Sequence, residues 1–470
     1  MSTAIWWIRR DLRLDDNPAL HAALQGGNQV IPLFILDPLL LKQPAPGRKA
    51  FLSAGLRRLG ADLQRLGSRL VVRAGSPLQV LRQVVSESGA GQIFAIEDYS
   101  PYALRRDEEI ARALPVSFLP GVTVRHPASV LKAGGTPYTV YTPFSKAWKA
   151  LTLPSGGATI RRLSAPERLP PVPDMYSEPL PEDAAPALFP PGEVEALRRL
   201  ERFCLGPIYN YSTDRDRLDL EGTSALSPYL RFGMLSPRRA LVAALDARAL
   251  AGDPEAGKGV GVWINELIWR EFYVAILYHF PVVLQTAFNP SLRGIHWRDS
   301  QDDLQAWQAG STGYPVVDAA MRQLAQTGWM HNRGRMVVAS FLVKDLLINW
   351  QVGERWFMQS LVDGDPAANN GGWQWTAGVG TDAAPYFRIF NPVLQGLKFD
   401  PQGDYVRRWV PELERLPAAW IHRPWEMPSE VGRRFGFVLG RDYPLPIVDH
   451  ATARLRALDA YRRSPSSDSR

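Results

Sequence analysis

One cysteine, Cys204, serves 470 residues, so no disulfide can form within the chain and no thiolate cluster can hold a metal. A reducing cytoplasm suits such a composition. Long apolar runs are missing as well; no stretch approaches the ~18 uninterrupted residues expected of a membrane span. Met1 to Arg13 reaches Arg9, Arg10, Asp11 and Arg13 before any long apolar core, so a secretory signal is not expected. After the first apolar run, Ile5 to Ile8, the chain reads Arg9-Arg10-Asp11-Leu12-Arg13 and not Gly-x-Gly-x-x-Gly. That excludes an ordinary nicotinamide-dinucleotide pyrophosphate turn at this point. Neither an internal repeat nor a metal-ligand spacing is present. The expectation is a soluble, cytoplasmic, monomeric protein with no metal and no membrane partner.

What is there describes a globular chain, with 46% hydrophobic and 21% charged residues. At ~100–200 residues per domain, the length suggests two domains. A net charge of +7 favours a polyanionic partner, because Lys and Arg release counterions from nucleic acid. Fifteen tryptophans exceed what a core needs and suit stacking or electron transfer.

Five short apolar runs, Ile5 to Ile8, Val30 to Leu36, Leu70 to Val72, Ile93 to Ile96 and Val116 to Leu119, read as buried strands. Helical patterns lie between them at Phe51 to Leu66, Pro77 to Val85 and Ala103 to Leu114, the second opened by Ser76 as N-cap and Pro77 at N1. The series predicts an α/β doubly wound parallel sheet domain over residues 1–130. Residues 131–194, with Pro170-Pro171, Pro173, Pro179, Pro181, Pro186 and Pro190-Pro191, read as a Pro-rich, mostly irregular linker. Residues 195–470 read as an all-α domain. Its clearest helices are Val194 to Cys204, Pro237 to Leu250, Val262 to His279, Val316 to Thr327 and Arg333 to Trp350. The tail, Pro465 to Arg470, reads as disordered.

Three segments mix apolar bulk with polar groups that are costly to bury. Asn332, Arg335, Met336 and Ala339 fall at i, i+3, i+4 and i+7, so amide, guanidinium and thioether share one helical stripe. Trp350, about four turns on at ~3.6 residues per turn, is expected near the same stripe. Glu266, Trp269, Arg270 and Tyr273 have the same spacing and line either a ligand or a salt-bridged core helix. Glu221 to Pro228 supplies hydroxyls and amides for phosphate oxygens, or simply an N-capped turn.

The segments Trp7-Ile8-Arg9-Arg10-Asp11-Leu12-Arg13, Met330-His331-Asn332-Arg333-Gly334-Arg335-Met336, Asp363-Gly364-Asp365, Asn369-Asn370-Gly371-Gly372-Trp373-Gln374-Trp375 and Gly380-Thr381-Asp382-Ala383-Ala384-Pro385-Tyr386 resemble motifs of the photolyase/cryptochrome family. They are closest to the microbial class I cyclobutane pyrimidine dimer photolyases. The resemblance covers nearly the whole chain and is strongest from Tyr211 to Arg408. It implies an FAD-dependent, light-driven lyase that repairs cyclobutane pyrimidine dimers in DNA by electron transfer from excited reduced FAD to a flipped dimer.

By the same resemblance, Tyr211, Thr223, Ser224, Ala225, Leu226, Ser227, Trp263, Arg270, Arg335, Asp363, Gly364, Asp365 and Asn369 bind the cofactor. Glu266, Trp269, Asn332, Met336, Asn369 and Trp375 form the catalytic set. Arg215, Glu266, Trp269, Arg270, Asn332, Arg333, Trp375 and Gln395 face DNA, and Trp297, Trp350 and Trp373 relay electrons.

Two departures stand out. Gly334 replaces a bulkier residue between two arginines, at a cost to a helix interior of roughly 0.8–1 kcal/mol against Ala. The Asn-Glu pair of folate-binding members is replaced by Tyr102-Ala103 ahead of Leu104-Arg105-Arg106-Asp107. With Asp98-Tyr99-Ser100-Pro101-Tyr102, this favours an 8-hydroxy-5-deazaflavin type of antenna over FMN or methenyltetrahydrofolate. The alternatives on the same scaffold are a cryptochrome-type blue-light signalling flavoprotein and a (6-4) photolyase. Against the first stands the short C-terminal tail. The second would carry paired histidines near Met330, where only His331 is found.

Overall fold

Strands β1 (Thr3–Ile8), β2 (Gln29–Leu36), β3 (Val71–Ala74), β4 (Gln92–Ile96) and β5 (Val116–Leu119) pair in parallel in the order β3-β2-β1-β4-β5. Every residue of β1 is buried, as expected of a strand covered on both faces. The order reverses between β1 and β4, which makes the sheet doubly wound. Helices Pro18–Gly26, Pro46–Arg65, Pro77–Ser88 and Pro101–Ala113 connect the strands, each opening with proline where a missing N–H costs nothing. Asn17 and Ser100 accept from Leu20 N and Ala103 N as side-chain caps, whereas Ser76 stands at the N-cap without such a bond. Ile5, Trp7, Ile31, Leu33, Val80, Leu81 and Ile93 build the core on one face.

The computed structural model describes residues 2–43, 45–152, 163–182 and 187–464. The tail expected to be disordered and two parts of the Pro-rich stretch, 153–162 and 183–186, lie outside the described residues. The described part of that stretch runs beside the edge strand β3: Glu178 N donates to Val72 O (2.8 Å), and Ser177 Oγ accepts from Val72 N (2.9 Å). Covering an edge in this way blocks pairing with another chain. Within the segment read as linker, Tyr141–Thr152 is a helix whose Phe144 and Trp148 are buried.

The chain divides into two compact units. The first comprises Met1–Ser212, Thr223–Pro281 and Val362–Ala367; the second comprises Thr213–Gly222, Val282–Leu361 and Ala368–Arg470. The first contains the sheet, its helices and the long Pro254–His279 helix. The second has no strand among its described residues; its core gathers Trp307, Phe341, Leu342, Trp350, Phe357 and Trp373.

One expected helix, Arg333 to Trp350, is broken. The α-helix runs Asn332–Ser340, a π-turn follows over Phe341–Asp345, Leu347 takes φ 55°, and a new helix starts at Trp350 with Asn349 as its cap. Trp350 therefore does not continue the Met336 stripe. Two buried charged residues account for the break. Lys344 Nζ donates to the carbonyls of Ala377 (2.9 Å) and Tyr386 (3.3 Å) and sits 3.5 Å from the Tyr461 ring centroid, while Asp345 pairs with His450 Nδ1 at 2.5 Å. The apolar pattern runs through the break because both sides are buried, and no Gly or Pro marks it.

Burial pushes the Lys344 ammonium down to about 7. Between that value and the ordinary lysine range, the unfolded chain binds more protons than the folded one. Stability attributable to Lys344 therefore rises with pH across that window and is lost as pH falls through about 7. Relative to Lys344→Met, the wild type is expected to gain stability between pH 7 and about pH 9.5. Urea denaturation at the two pH values, compared between the proteins, checks this; a pH-independent difference would mean that the charge stays on the buried amine.

Candidate functional site

In the first unit, helix Pro254–His279 carries Trp263, Glu266, Trp269 and Arg270. Trp263 is buried, and its indole N–H donates to Ser224 Oγ at 3.3 Å. The ring of Phe203 lies 5.4 Å from Trp263 and 5.8 Å from Tyr211, so Tyr211, Ser224 and Trp263 belong to one cluster. The turn Thr223 to Ser227 places Ala225 at φ 48°, and helix Ser227–Phe232 begins from Leu226 with no side-chain cap bond. A non-glycine residue in that left-handed region is uncommon and turns successive amides toward one side.

Glu266 and Trp269 are half-buried one turn apart. Tyr141 stacks on Trp269 with centroids 3.6 Å apart and planes 4° from parallel. The sequence reading missed Tyr141, although Tyr141, Phe144 and Trp148 at i, i+3 and i+7 form an aromatic stripe that signals a helix. Arg270 donates to Val122 O at 2.8 Å. Its neighbour Glu271 is buried and accepts from Trp148 Nε1 (2.5 Å) and from Val124 N; burial pushes its carboxyl up to about 6 against those bonds.

The Asp363-Gly364-Asp365 turn is anchored by arginines within the same unit. Arg10 pairs with Asp365 at 2.7 Å, Arg231 Nε donates to Gly364 O at 2.8 Å, and Asp365 Oδ1 accepts from Ala367 N at 3.0 Å. Arg10 also reaches Asp98 at 3.4 Å. Burial, helped by Arg10, pushes Arg231 down to about 9. Although burial acts the other way on Asp98, the surrounding arginines, Arg10 first, hold its carboxyl below the usual range.

In the second unit, helix Asn332–Ser340 brings together Asn332, Arg333, Arg335 and Met336. Asn332 is exposed, with its amide nitrogen 3.7 Å from Met336 Sδ; Arg335 Nε donates to Met330 O at 2.8 Å. His331 is the N-cap of this helix: Nδ1 accepts from Arg333 N, and burial pushes the imidazole down to about 4, so it is neutral. Gly334 has a packing reason, since a Cβ there would lie 3.1 Å from Met330 Cγ and 3.2 Å from Ala320 Cβ. Arg333 pairs with Asp216 at 2.8 Å and lies 4.4 Å from the Phe399 ring centroid, and Asp216 is also 3.9 Å from Arg215. Gln395, on helix Pro392–Phe399, has a buried amide oxygen without a protein partner. Arg215 and Arg333 thus share Asp216, with the helix that carries Gln395 adjoining through Phe399.

Helix Pro366–Ala377 carries Asn369, Trp373 and Trp375. Asn369 Nδ2 donates to both the backbone and the carboxyl oxygen of Glu354, at 3.0 and 2.9 Å, which turns the amide oxygen to the opposite side. Trp373 is buried between Phe357 (5.0 Å) and Trp307 (6.2 Å), and Trp375 is half-buried. Trp350 is buried at the start of helix Trp350–Ser360, and Trp297 is half-buried with its ring 6.1 Å from Tyr461. Gly353 lets that helix lie against Trp373, because a Cβ would sit 2.1 Å from Trp373 Cη2. No cluster of metal ligands occurs among the described residues, and no helix among them is long and apolar enough to cross a membrane.

A parallel α/β sheet followed by a largely helical region, with the Thr223 to Ser227 turn beside buried Trp263, is an arrangement that suits a nucleotide cofactor. Comparison supplies the cofactor: residues 263–463 match the FAD binding domain of DNA photolyase, and residues 4–167 match the DNA photolyase family. The chain belongs to the DNA photolyase family. It is 41% identical to the deoxyribodipyrimidine photo-lyase of Agrobacterium fabrum, over 97% of each chain. Among solved structures, it resembles a bacterial class III photolyase from Agrobacterium tumefaciens (TM-score 0.91, 40% identity, 98% of this chain and 97% of that one). It also resembles the cryptochrome of Synechocystis (TM-score 0.88, 31% identity, 98% and 99%).

Proposed function

We propose that this chain is a deoxyribodipyrimidine photo-lyase, which binds DNA containing a cyclobutane pyrimidine dimer and splits the dimer with light. The observation that carries the reading is the face of helix Pro254–His279 on which Glu266 and Trp269 stand half-open one turn apart. A carboxyl beside an indole suits a pyrimidine: the indole meets its ring, and the carboxyl meets its carbonyl edge. We assign Trp269 and Trp375 as walls for the flipped dimer, Met336 as its floor, and Glu266 and Asn332 as hydrogen-bonding groups. Flipping costs a few kcal/mol, less at a poorly stacked lesion, and this difference favours damaged sites.

The residues present fit FAD. The Thr223 to Ser227 turn, with Ala225 in the left-handed region and Ser224 fixed by Trp263, offers hydroxyls and amides to diphosphate and ribityl oxygens. Tyr211 belongs to the same cluster. We assign Arg270, Arg335, Asp363, Gly364, Asp365 and Asn369 to the flavin end. With both amide protons on Glu354, Asn369 would present its oxygen as an acceptor for a ring N–H. Bound and reduced, FAD supplies the photoexcited electron that opens the dimer, and takes it back afterwards.

Repair of a dimer-containing oligonucleotide under blue light tests the proposal. Failure to repair, in protein that keeps FAD and reduces it in light, would favour the signalling reading drawn from the cryptochrome likeness. The (6-4) reading would call for paired histidines near Met330, where His331 is followed by Asn332. For the antenna, the Asp98 to Tyr102 sequence supports an 8-hydroxy-5-deazaflavin type in the sheet domain. Mass spectrometry of cofactors extracted from the native host decides it, and bound folate would overturn it.

Arg215, Arg333 and Gln395 we assign to the DNA backbone. Affinity should fall steeply with salt, and Arg215→Ala should reduce the slope of log K against log salt by about 1. An unchanged slope, measured by fluorescence anisotropy, removes Arg215 from the phosphate contacts.

A further inference from the structure

One face of Trp269 is occupied by the protein itself. The Tyr141 ring lies parallel to the indole at 3.6 Å, and its hydroxyl donates to the backbone carbonyl of Asn265, one turn before Trp269, at 2.9 Å. A second tie comes from the same helix as Tyr141, since Lys149 Nζ donates to Asn265 Oδ1 at 2.7 Å. Phe272 meets the indole edge at 5.6 Å and 82°, and meets Tyr141 at 5.9 Å and 79°. Tyr273 adds a tilted contact with the indole at 5.6 Å. Trp269 nevertheless remains half-exposed.

An indole held in this way differs from a free surface tryptophan. A surface indole keeps its rotamers and must be ordered when a ligand binds, which weakens binding. Here stacking fixes the plane, the hydroxyl fixes Tyr141 to the helix that carries Trp269, and the edge contacts restrict rotation about the side-chain bonds. We propose that Tyr141 is a positioning residue for lesion recognition. It closes one face of Trp269 and holds the other in a single orientation, ready for the pyrimidine rings of the dimer. The inference rests on the reading of Trp269 as a wall for the dimer.

The test is equilibrium binding in the dark, with a dimer-containing oligonucleotide and its undamaged counterpart, on FAD-loaded protein. Tyr141→Ala is expected to weaken binding of the damaged strand on the order of tenfold, about 1.4 kcal/mol. Affinity for undamaged DNA, FAD content and the rate of repair at saturating DNA are expected to stay near wild type. Tyr141→Phe keeps the stack and should restore most of the affinity. In a Trp269→Ala background, Tyr141→Ala should have no further effect, because a residue acting only through Trp269 has nothing left to position.

Wild-type discrimination in Tyr141→Ala, or an additive loss in the double variant, would overturn the proposal. Should Tyr141→Ala melt early, Tyr141→Leu, which keeps apolar bulk without a stacking plane, carries the same comparison. If Trp269→Ala itself binds damaged DNA as well as wild type, the wall assignment falls and the inference with it. If Trp269→Ala is impaired and Tyr141→Ala is not, only the inference falls.

Discussion

Trp373→Phe and Trp350→Phe are expected to lose light-driven reduction of bound FAD, by on the order of tenfold or more, about 1.4 kcal/mol in barrier for each factor of ten. Repair by chemically reduced protein should change little. Trp373 is buried with Phe357 and Trp307 against its ring, and phenylalanine would keep most of that packing volume. Phenyl is much harder to oxidise than indole, so the substitution would remove the electron donor and leave the site filled. We propose Trp373, Trp350 and Trp297 as an electron relay: with FAD bound, Trp373 would be the residue that donates in light, Trp350 the one that would refill it, and half-buried Trp297 the one that would meet a reductant in solution. Repair draws on an electron that returns, so it does not need the relay once FAD is reduced. Transient absorption would report the tryptophan radical, expected to be lost or shortened. Wild-type photoreduction in both variants would make these core tryptophans, or place the route elsewhere. Equal loss of repair in chemically reduced protein would mean that the substitutions damaged the site.

The sheet was legible because its strands are short, apolar and buried on both faces, and because proline opens each connecting helix. On the Pro254–His279 helix, the Glu266, Trp269 and Tyr273 spacing survives folding because nothing interrupts the helix. Trp350 was misplaced for the opposite reason. The chain leaves the helix at a π-turn and at Leu347, with φ 55°, where buried polar bonds of Lys344 and Asp345 impose the bend. Such bonds join residues far apart in sequence, and local periodicity carries no trace of them. Arg10 and Asp365 are likewise 355 positions apart, so the ion pair that anchors the Asp363 to Asp365 turn had no local signal. Gly334 illustrates a residue visible in the sequence without its cause. Its helix-propensity cost is readable, whereas the close approach of Met330 and Ala320 that would crowd a larger residue there is not.

Gly353→Ala is expected to destabilise the second unit and to slow photoreduction together, although residue 353 is not aromatic. An added Cβ would lie 2.1 Å from Trp373 Cη2 and 2.6 Å from both Trp373 Cζ3 and Leu342 Cδ2. Real carbon contacts start well beyond those distances, so either Trp373 or the Trp350–Ser360 helix must move. Neither is easily displaced, since Trp373 is wedged against Phe357 from that same helix, and Leu342 is fully buried. Overpacking of this kind costs about 1–3 kcal/mol, occasionally more, and lowers Tm by roughly 2–4 °C per kcal/mol in domains of about 150–250 residues. Trp350 begins the helix that would be pushed away, so the separation of Trp350 from Trp373 should grow as stability falls. A calorimetric scan with a photoreduction time course checks the pair of effects. Unchanged Tm would mean that the helix slides without cost, whereas lowered Tm with wild-type photoreduction would mean that electron flow does not depend on how this helix packs against Trp373.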